Sequence, residues 1–453
     1  MSHLTKNNHY SLIIVLLGSL LLPGCIVDLK RNPAPLLIGL FRNSADTTTG
    51  TGSDTSVGAG DTTNTAGTTN VATPTFSPAA GHYNTSQNVI LSSTTSGASL
   101  YYTTDGSNPT TSSNAYTSAI PIWYLAGKTV QAFATKSGFT NSSVLSGTFS
   151  YPPLQSGQTT VYLAGDNGTN PTGAARAYTD SGDGSIIDNA TGLVWQKCFK
   201  GRNNDATCSD DAGVTDPTNW ANSGTYCSSL SLAGKTWRLP SKQELETLPD
   251  YSLSNPAISS TFFPGTIAAG NYWSSTAEAA NAANAWYVGF GGGDVSVIAK
   301  TNTYYVRCVT GFSKVFGFNF TDNNNGTIKD NATGLVWQKC FKGRNNDTTC
   351  SDDGAITDTL AWASAVPYCT GLSLAGYTWR LPHANELNTI VDTTKASGAI
   401  IDTITFPSTA ASVYWSSTTT TTTTYAWLVN FSNGAVGGDL KTNTHRVRCV
   451  TGP

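Results

Sequence analysis

Apolar and polar residues alternate in short runs between residues 74 and 151, and turn-forming residues separate the runs. Three runs, at 88–92, 99–104 and 129–134, are rich in β-branched and aromatic residues, which favour strands. Asp105-Gly106 follows the second run directly, and this dipeptide is a strong signal for a tight turn at a strand end. Several short strands at this spacing predict a small β-sandwich.

The residue pattern of the C-terminal two-thirds of the chain occurs twice. Residues 188–205 read DNATGLVWQKCFKGRNND, and residues 330–347 are identical to them. The motifs WRLP and YWSS recur at the same displacement of 142 residues, and after the loss of one residue the correspondence continues at 141. A repeat of this length is a domain rather than a solenoid unit. The sequence therefore predicts two tandem copies of one module.

Each module is predicted to contain two helices. The first follows a cysteine-bearing loop, where Asp216 would be the N-cap and Pro217 the first helical residue. The second begins after WRLP, where Ser241 and Glu244 have the spacing of a capping box. The second module keeps the glutamate, as Glu386, but replaces the capping serine by a histidine. We therefore expect the glutamate to form a buried ion pair with the arginine of WRLP, which is Arg238 in the first copy and Arg380 in the second.

Strand-like runs follow the second helix at 271–275, 285–290 and 305–309. Trp286, Val288 and Phe290 alternate with other residues, so one face of that strand is predicted to be buried. Ten of the eleven tryptophans lie in the modules, five per copy at matching positions. They can form either a ladder that binds sugar rings or an aromatic core. The apolar runs that contain them favour the core.

The N-terminus has the pattern of a bacterial secretory signal. Lys6 precedes an apolar run at 12–22 that is shorter than the roughly 20 residues needed to span a bilayer. The run ends in Leu-Pro-Gly-Cys, which resembles a lipobox, so Cys25 is the predicted lipidation site. An ordinary signal peptide with an incidental cysteine is the alternative. Ile26, and not an acidic residue, directly follows Cys25, which favours the outer membrane or the cell surface as the location.

Eight of the nine cysteines remain once Cys25 is set aside, and they fall four and four into the modules. An even count in an exported chain predicts disulfides. Four cysteines allow three pairings per module, of which we favour a short loop and a helix-to-strand clasp: Cys198–Cys208 and Cys227–Cys308, then Cys340–Cys350 and Cys369–Cys449. A zinc site is disfavoured, because the sequence contains no CxxC pair and no histidine recurs at matching positions.

The charge composition of the chain bears on which kinds of molecule it can bind. Charged residues make up 12% of the chain, and removal of Lys6 with the signal takes the net charge from −3 to −4. This balance provides no general attraction to nucleic acid or acidic lipid.

The sequence divides into a signal peptide (1–24), a flexible Ser/Thr/Gly-rich tether (25–72), a β-sandwich (73–152) and two modules (160–312 and 313–453).

Each module opens with a polar segment, at 180–184 and 322–326, in which Asp, Asn and Gly alternate. A calcium loop is one interpretation of this segment, and a hairpin turn that needs left-handed residues is the other. No glutamate stands at the twelfth position that an EF-hand requires. We therefore favour the turn, and we expect no cofactor and no metal ligand in the chain.

The sandwich segment resembles a known family. Residues 101–110 read YYTTDGSNPT, and together with residues 75–81 and 132–138 they are similar to the chitobiase/β-hexosaminidase C-terminal domain. In that family the domain is an accessory module with an immunoglobulin-like fold. The resemblance implies a spacer or stalk without catalytic residues.

The repeated modules resemble a second family. The motifs TGLVWQ, WRLP, YWSS, AWxVxF and VRCV occur in the same order in the domain of unknown function at the C-terminus of Lcl, a collagen-like bacterial adhesin. That family is related in fold to C-type lectins and formylglycine-generating enzymes, so the resemblance implies loop-rich, disulfide-stapled α+β modules. The sugar-binding calcium triplets of C-type lectins are missing, and the proposed disulfides leave no reactive thiol of the formylglycine enzymes.

The disulfide-closed loops are the candidate ligand site. Three cations surround a phenylalanine in each copy: Lys197, Lys200, Arg202 and Phe199, then Lys339, Lys342, Arg344 and Phe341. Such a loop would hold sulfate or carboxylate groups of an acidic glycan, and two copies would add avidity. The alternative is a solvated loop whose charge is offset by nearby aspartates. In the second copy a threonine run at 418–424 is expected to be an exposed variable loop.

These features predict a lipid-anchored surface protein that binds extracellular glycan or matrix components, with the N-terminal lipid as its only contact with the membrane. The alternative is a structural envelope protein that binds other proteins or associates with itself. We do not expect an enzyme, because no Ser/His/Asp set, recurring histidine or nucleotide loop is present in the sequence.

Overall fold

The alternation of apolar residues seen in the sequence becomes alternation of burial in the strands. The structure is a computed structural model that describes residues 69–212, 216–314, 318–354 and 357–452. In the strand Asn88–Ser92, Val89 and Leu91 are buried, whereas their neighbours are exposed. The signal peptide, Cys25 and the tether up to residue 68 lie outside the described residues.

The N-terminal domain is rich in β-structure and has two sheets, with strand orders β1-β3-β6 and β2-β8-β7-β4-β5. Phe76 of the first sheet contacts Phe149 of the second, with ring centroids 5.4 Å apart. Val71 belongs to this domain rather than to the tether, since it is buried and its N–H donates to the carbonyl of Thr140. The elements are β1 (Thr75–Ser77), β2 (Gly81–His82), β3 (Asn88–Ser92), β4 (Ser99–Thr103), β5 (Asn114–Ala115), β6 (Ile120–Pro121), α1 (Ile122–Leu125), β7 (Thr129–Thr135) and β8 (Leu145–Ser150).

The two modules have matching elements. Each contains a four-stranded sheet, of order β15-β11-β10-β9 in the first and β16-β17-β18-β24 in the second. The first module consists of β9 (Tyr178–Asp180), β10 (Ser185–Asp188), β11 (Val194–Gln196), α2 (Trp220–Ser229), α3 (Lys242–Leu245), β12 (Asn271–Ala277), β13 (Asn284–Gly289), β14 (Val295–Ala299) and β15 (Val309–Thr310). The second consists of β16 (Phe320–Asp322), β17 (Thr327–Asp330), β18 (Val336–Gln338), β19 (Thr359–Ala361), α4 (Trp362–Thr370), α5 (Ala384–Asn388), β20 (Val413–Thr419), β21 (Tyr425–Asn430), β22 (Ala435–Leu440), β23 (Thr444–Arg446) and β24 (Val450–Thr451).

A single eight-stranded sheet joins the two modules, in the order β12-β13-β14-β22-β21-β20-β23-β19. The junction lies between β14 and β22, which run antiparallel with Val295 opposite Val436. These strands are equivalent in the two copies. The duplicated modules therefore form one continuous sheet and are not two separate domains joined only by a linker. Each module covers an edge strand of the other.

Two sequence predictions about local structure are wrong. Helix α2 begins at Trp220 with Asn219 as its N-cap, because Asp216 instead binds Arg202 at 3.0 Å. The run 305–309 is mostly not a strand; residues 304 and 305 make isolated bridges, and only β15 at its end forms part of a sheet. The helices are also short, so the modules are mostly sheet rather than a balanced α+β mixture.

The tryptophans of the modules form core, as the apolar pattern predicts. All are buried except Trp220, which is half-buried beneath the ammonium of Lys300, 4.1 Å from its ring centroid.

The burial of the arginine in the VRCV motif was not predicted from the sequence. Arg307 is fully buried and donates to the carbonyl of Gln196 at 2.8 Å and to the hydroxyl of Thr266 at 2.8 Å. Arg448 repeats these contacts in the second copy.

No helix in the described part of the chain has the length and apolarity needed to cross a membrane.

Candidate functional site

The predicted disulfides all form, which confirms the favoured pairing. Cys198–Cys208 and Cys340–Cys350 each close a short loop, with the two partners 10 positions apart in sequence. Cys227–Cys308 and Cys369–Cys449 each tie the first helix of a module to the segment before its last strand. The candidate loops are therefore anchored at both ends to the module core.

In the first copy, aspartates bind the cations of the loop. The ammonium of Lys197 lies 2.8 Å from Asp180, and the guanidinium of Arg202 lies 3.0 Å from Asp216. Asp210, which is largely exposed, approaches Arg202 at 3.7 Å. The pairing of Arg202 with Asp216 was not expected from the sequence.

The second copy repeats this arrangement with small differences. Lys339 binds Asp322 at 2.8 Å, and Arg344 lies 2.9 Å from Asp352 and 3.4 Å from Asp358. Arg446 adds a second cation to Asp358 at 2.7 Å. The matching spacing of 14 residues from arginine to aspartate in both copies is the signal that would have revealed these pairs from the sequence.

Of the remaining lysines of the loops, Lys342 is buried and Lys200 is half-buried. Lys342 is buried and donates to the carbonyl of Thr357, and its ammonium lies 5.7 Å from the ring centroid of Tyr368. Lys200 has the equivalent position over Tyr226, at 5.8 Å. Burial lowers the pKa of both lysines, because desolvation disfavours the ammonium form.

Phe199 and Phe341 are fully buried beneath the loops. The arginines stack on them, with the guanidinium carbon of Arg202 5.1 Å from the ring centroid of Phe199. The structure thus brings together all six predicted cations and their phenylalanines, but it surrounds them with carboxylates. A sulfated ligand would have to displace aspartate side chains from Arg202 and Arg344.

The predicted ion pair of the WRLP motif is present in both modules. Arg380 donates two hydrogen bonds of 2.6 Å to the carboxylate of Glu386, which is fully buried. Glu386 also caps α5 by accepting from the backbone N–H of His383, while the Nδ1 of His383 accepts from the N–H of Glu386. The histidine therefore replaces the serine of the capping box in the second copy. Arg238 and Glu244 form the same bidentate pair in the first.

Burial raises the pKa of Glu386, but Arg380, His383 and the hydrogen bonds to the carboxylate outweigh it and hold the pKa to about 2. Burial lowers the pKa of His383 to about 4, and the cations Arg380 and Arg176 act in the same direction. The histidine is therefore neutral at physiological pH, as its acceptor role in the cap requires.

The polar segments that open each module are turns. Asp180 accepts from the backbone N–H of Gly182 and binds Lys197, whereas Asp183 accepts from Ser185 and binds Lys235. These contacts use the carboxylates within the protein. Within the described ranges, no group of three or more His, Cys, Asp or Glu side chains is placed to hold a metal ion.

Comparison with known families assigns both modules. The Lcl C-terminal domain family matches residues 184–310 and 326–451, which together make up more than half of the 453 residues. The chain belongs to the Lcl C-terminal domain family. The chitobiase/β-hexosaminidase C-terminal domain family matches residues 78–146, within the N-terminal β-domain. No curated protein matches the chain.

The family matches coincide with the structural units. Each Lcl C-terminal domain match contains both disulfides and the Arg–Glu pair of its module. Two tandem domains of this family point to a surface or binding protein. The N-terminal β-domain precedes the modules in the same compact unit.

Proposed function

We propose that this protein is an adhesin, anchored by lipid at Cys25 to the bacterial outer membrane or cell surface, that recognises extracellular glycans or matrix components through its two modules. The observation that carries the proposal is the division between frame and loops. The two copies share their buried frame and their disulfide loops, and they differ in the exposed loop that follows YWSS. Proteins that recognise ligands are commonly built in this way.

The segment after YWSS illustrates this division. Trp273 and Trp415 are completely buried at equivalent positions. The segments that follow, 276–284 and 418–425, differ in both sequence and length. The threonine run was expected to be exposed throughout, but Thr418 and Thr419 are buried in β20, and exposure begins in the loop after them. The N–H of Thr419 donates to the side chain of Gln158, and this bond holds the base of the loop in place.

The finer features of the proposal are a C-type-lectin-like fold for the modules and a role without catalysis. The helix-to-strand disulfides Cys227–Cys308 and Cys369–Cys449 support the lectin-like frame.

A structural envelope role is the second candidate function. The pairing of Val295 with Val436 favours it, because it demonstrates that two copies of this module have complementary edges.

The test of the main proposal is binding of the full-length protein to immobilised heparin and to a glycan panel, over a range of salt and with or without calcium. Binding to any glycan supports the adhesin, and absence of all binding by folded protein favours the structural role. Salt-sensitive heparin binding that is lost in the variants Lys200→Ala, Arg202→Ala, Lys342→Ala and Arg344→Ala would place the site on the loops. Lys329→Ala is the matched control, since Lys329 is an exposed cation outside the loops.

The anchor has a separate test. Metabolic labelling with an alkyne fatty acid should label the wild-type protein in a bacterial host and not the Cys25→Ala variant, and only the wild type should fractionate with outer membranes. Equal labelling of both proteins would refute the proposed lipidation.

A further inference from the structure

An open groove of about 420 Å³ lies at the junction of the two modules. One wall comes from the first module, at residues 251–255 and 291–292. The other comes from the second module, at Thr420–Thr422 with Tyr425 and Trp427. Because both walls are needed, the groove exists only where two modules are joined edge to edge. Its size is typical of sites for small ligands.

Aromatic rings from both modules line this groove. Tyr251 of the first module and Trp427 of the second contact each other, with ring centroids 4.6 Å apart. Both are almost completely buried. Tyr425 stands beside them and is 37% exposed. Of these three rings, only that of Tyr425 is open enough to offer an apolar face on which the C–H face of a sugar ring can stack.

The rest of the lining is polar and uncharged. Ser254, Asn255 and the threonines of the second module provide hydroxyl and amide groups, and none of the lining residues is Asp, Glu, Lys or Arg. Such groups donate and accept hydrogen bonds with sugar hydroxyls. The absence of charge from this lining distinguishes the groove from the disulfide loops and selects against sulfated or carboxylated ligands.

Backbone hydrogen bonds hold both walls in place. The N–H of Asn255 donates to the carbonyl of Gly291 at 2.9 Å, which ties the two segments of the first wall together. In the second wall, Thr420 donates to the carbonyl of Tyr425 at 3.2 Å, and Tyr425 donates to that of Thr422 at 2.9 Å. A ligand would therefore not have to order these segments on binding.

A second, smaller cavity adjoins the groove. Tyr251, Thr420 and Thr421 line both, and the second cavity continues to Tyr162, which is 40% exposed. The two cavities therefore adjoin, and the ammonium of Lys441 lies over the ring of Tyr162, 5.0 Å from its centroid. Two adjoining cavities suit a chain of sugar rings better than a single ring.

The groove breaks the symmetry of the repeat. Asn284 is the equivalent of Tyr425 in the first copy, and Thr393 is the equivalent of Tyr251 in the second. The related position on the other side of the junction therefore lacks both tyrosines. The aromatic lining is a property of one face of this tandem pair and does not follow from the shared module sequence.

We propose that the groove between the modules, with Tyr425 as a stacking platform, binds a neutral oligosaccharide. This inference rests on the proposed glycan-binding function and assigns it a site and a ligand class. Neutral rather than acidic sugars follow from the uncharged lining of the groove, and an oligomer follows from the second cavity that adjoins it.

The test uses the full-length protein and the neutral probes cellohexaose, mannohexaose and chitohexaose, with heparin as the acidic probe, in isothermal titration calorimetry. At least one neutral hexasaccharide should bind with little dependence on salt. Tyr425→Ala should weaken that binding by about tenfold, since it removes one stacking face. Thr421→Arg, which places a long charged side chain in the groove, should weaken it as well.

Asn284→Ala is the matched control and should leave the affinity unchanged. The melting temperatures of all variants should stay close to that of the wild type, because Thr421 lies in a loop, Tyr425 and Asn284 are the first residues of their strands, and Asn284→Ala removes only a hydrogen bond to Glu278. Neutral-sugar binding that survives both Tyr425→Ala and Thr421→Arg would overturn the groove while leaving the glycan-binding function in place. Binding to heparin alone would also overturn it, and failure to bind any glycan would overturn both proposals.

Discussion

Val295 and Val436 lie directly opposite each other in the sheet that joins the modules, and they occupy the same position of the repeated unit. Their antiparallel pairing gives the junction a local two-fold symmetry, as in an isologous dimer interface. The surrounding contacts are similar in the two directions, although the glycines involved are offset by one position of the repeat. Trp286 of the first module packs on Gly434 of the second, and Trp427 of the second packs on Gly292 of the first.

The contact of Gly434 with Trp286 is the tighter of the two, so a methyl group added at Gly434 should lower the stability of the protein. Gly434 has a φ of +79°, and an added Cβ would lie 3.1 Å from Val391 and 3.2 Å from Trp286. We expect Gly434→Ala to destabilise the protein by about 1–2 kcal/mol, because the left-handed backbone disfavours a side chain and the contact must loosen. Urea denaturation measures this difference.

Gly437 is the control for this substitution. It lies three residues further along, within β22, and an added Cβ meets nothing within 4 Å. Gly437→Ala should therefore change the free energy of unfolding by less than about 0.5 kcal/mol. Equal losses in both variants would mean that the junction contact does not matter.

Removal of the buried ion pair of the second module should lower the free energy of unfolding by more than Gly434→Ala does. Glu386→Ala leaves Arg380 without its carboxylate, and such a loss typically destabilises by about 3–5 kcal/mol. Thr172 also loses an acceptor, since its hydroxyl donates to Glu386 at 3.0 Å. Thermal unfolding followed by tryptophan fluorescence should register a strong decrease. A melting temperature equal to that of the wild type would refute a structural role for the pair.

Because of His383, the stability of the second module should depend on pH in a way that the stability of the first module does not. Its pKa falls from 6.5 to about 4 on folding, so the unfolded chain binds a proton in this range that the folded chain does not. Stability should therefore decline as the pH falls from 6.5 towards 4. Glu386, with a folded pKa of about 2, adds a further decline below pH 4.5.

The substitution His383→Ser isolates this contribution, since Ser241 occupies the equivalent position in the first copy. The variant should retain a capping hydroxyl and show a flatter profile of melting temperature between pH 6.5 and 4. An unchanged slope in that interval would contradict the assignment to His383.

The disulfides differ in the length of chain that they constrain. Cys227–Cys308 spans 81 residues and Cys198–Cys208 spans 10. Chain-entropy arguments assign about 4–5 kcal/mol to the long bridge and about 3 kcal/mol to the short one. Double serine variants of each pair should therefore rank in that order in urea denaturation. A larger loss from the short bridge would indicate that strain or loop packing, and not chain entropy, dominates.

Much of each module was predictable because the signals were local. The repeat identified equivalent positions, the even cysteine count predicted the disulfides, and the replacement of serine by His383 beside a retained Glu386 indicated a second role for the glutamate. The start of α2 was predicted wrongly for the converse reason. Asp216 has the local pattern of an N-cap, but Arg202 binds its carboxylate after the chain folds.

The sequence by itself determined the domain order, the duplication, the presence of disulfides in each module and the aromatic core, since each depends on local spacing and composition, whereas the structure selected one of the three possible cysteine pairings. Only the tertiary structure decided that the basic loops are neutralised by Asp216 and Asp358, and that the two modules share one sheet. The groove beside Tyr425 follows from that shared sheet. The physical reason is that edge pairing and side-chain neutralisation depend on surfaces that come together in space, and neither leaves a periodic pattern in the chain.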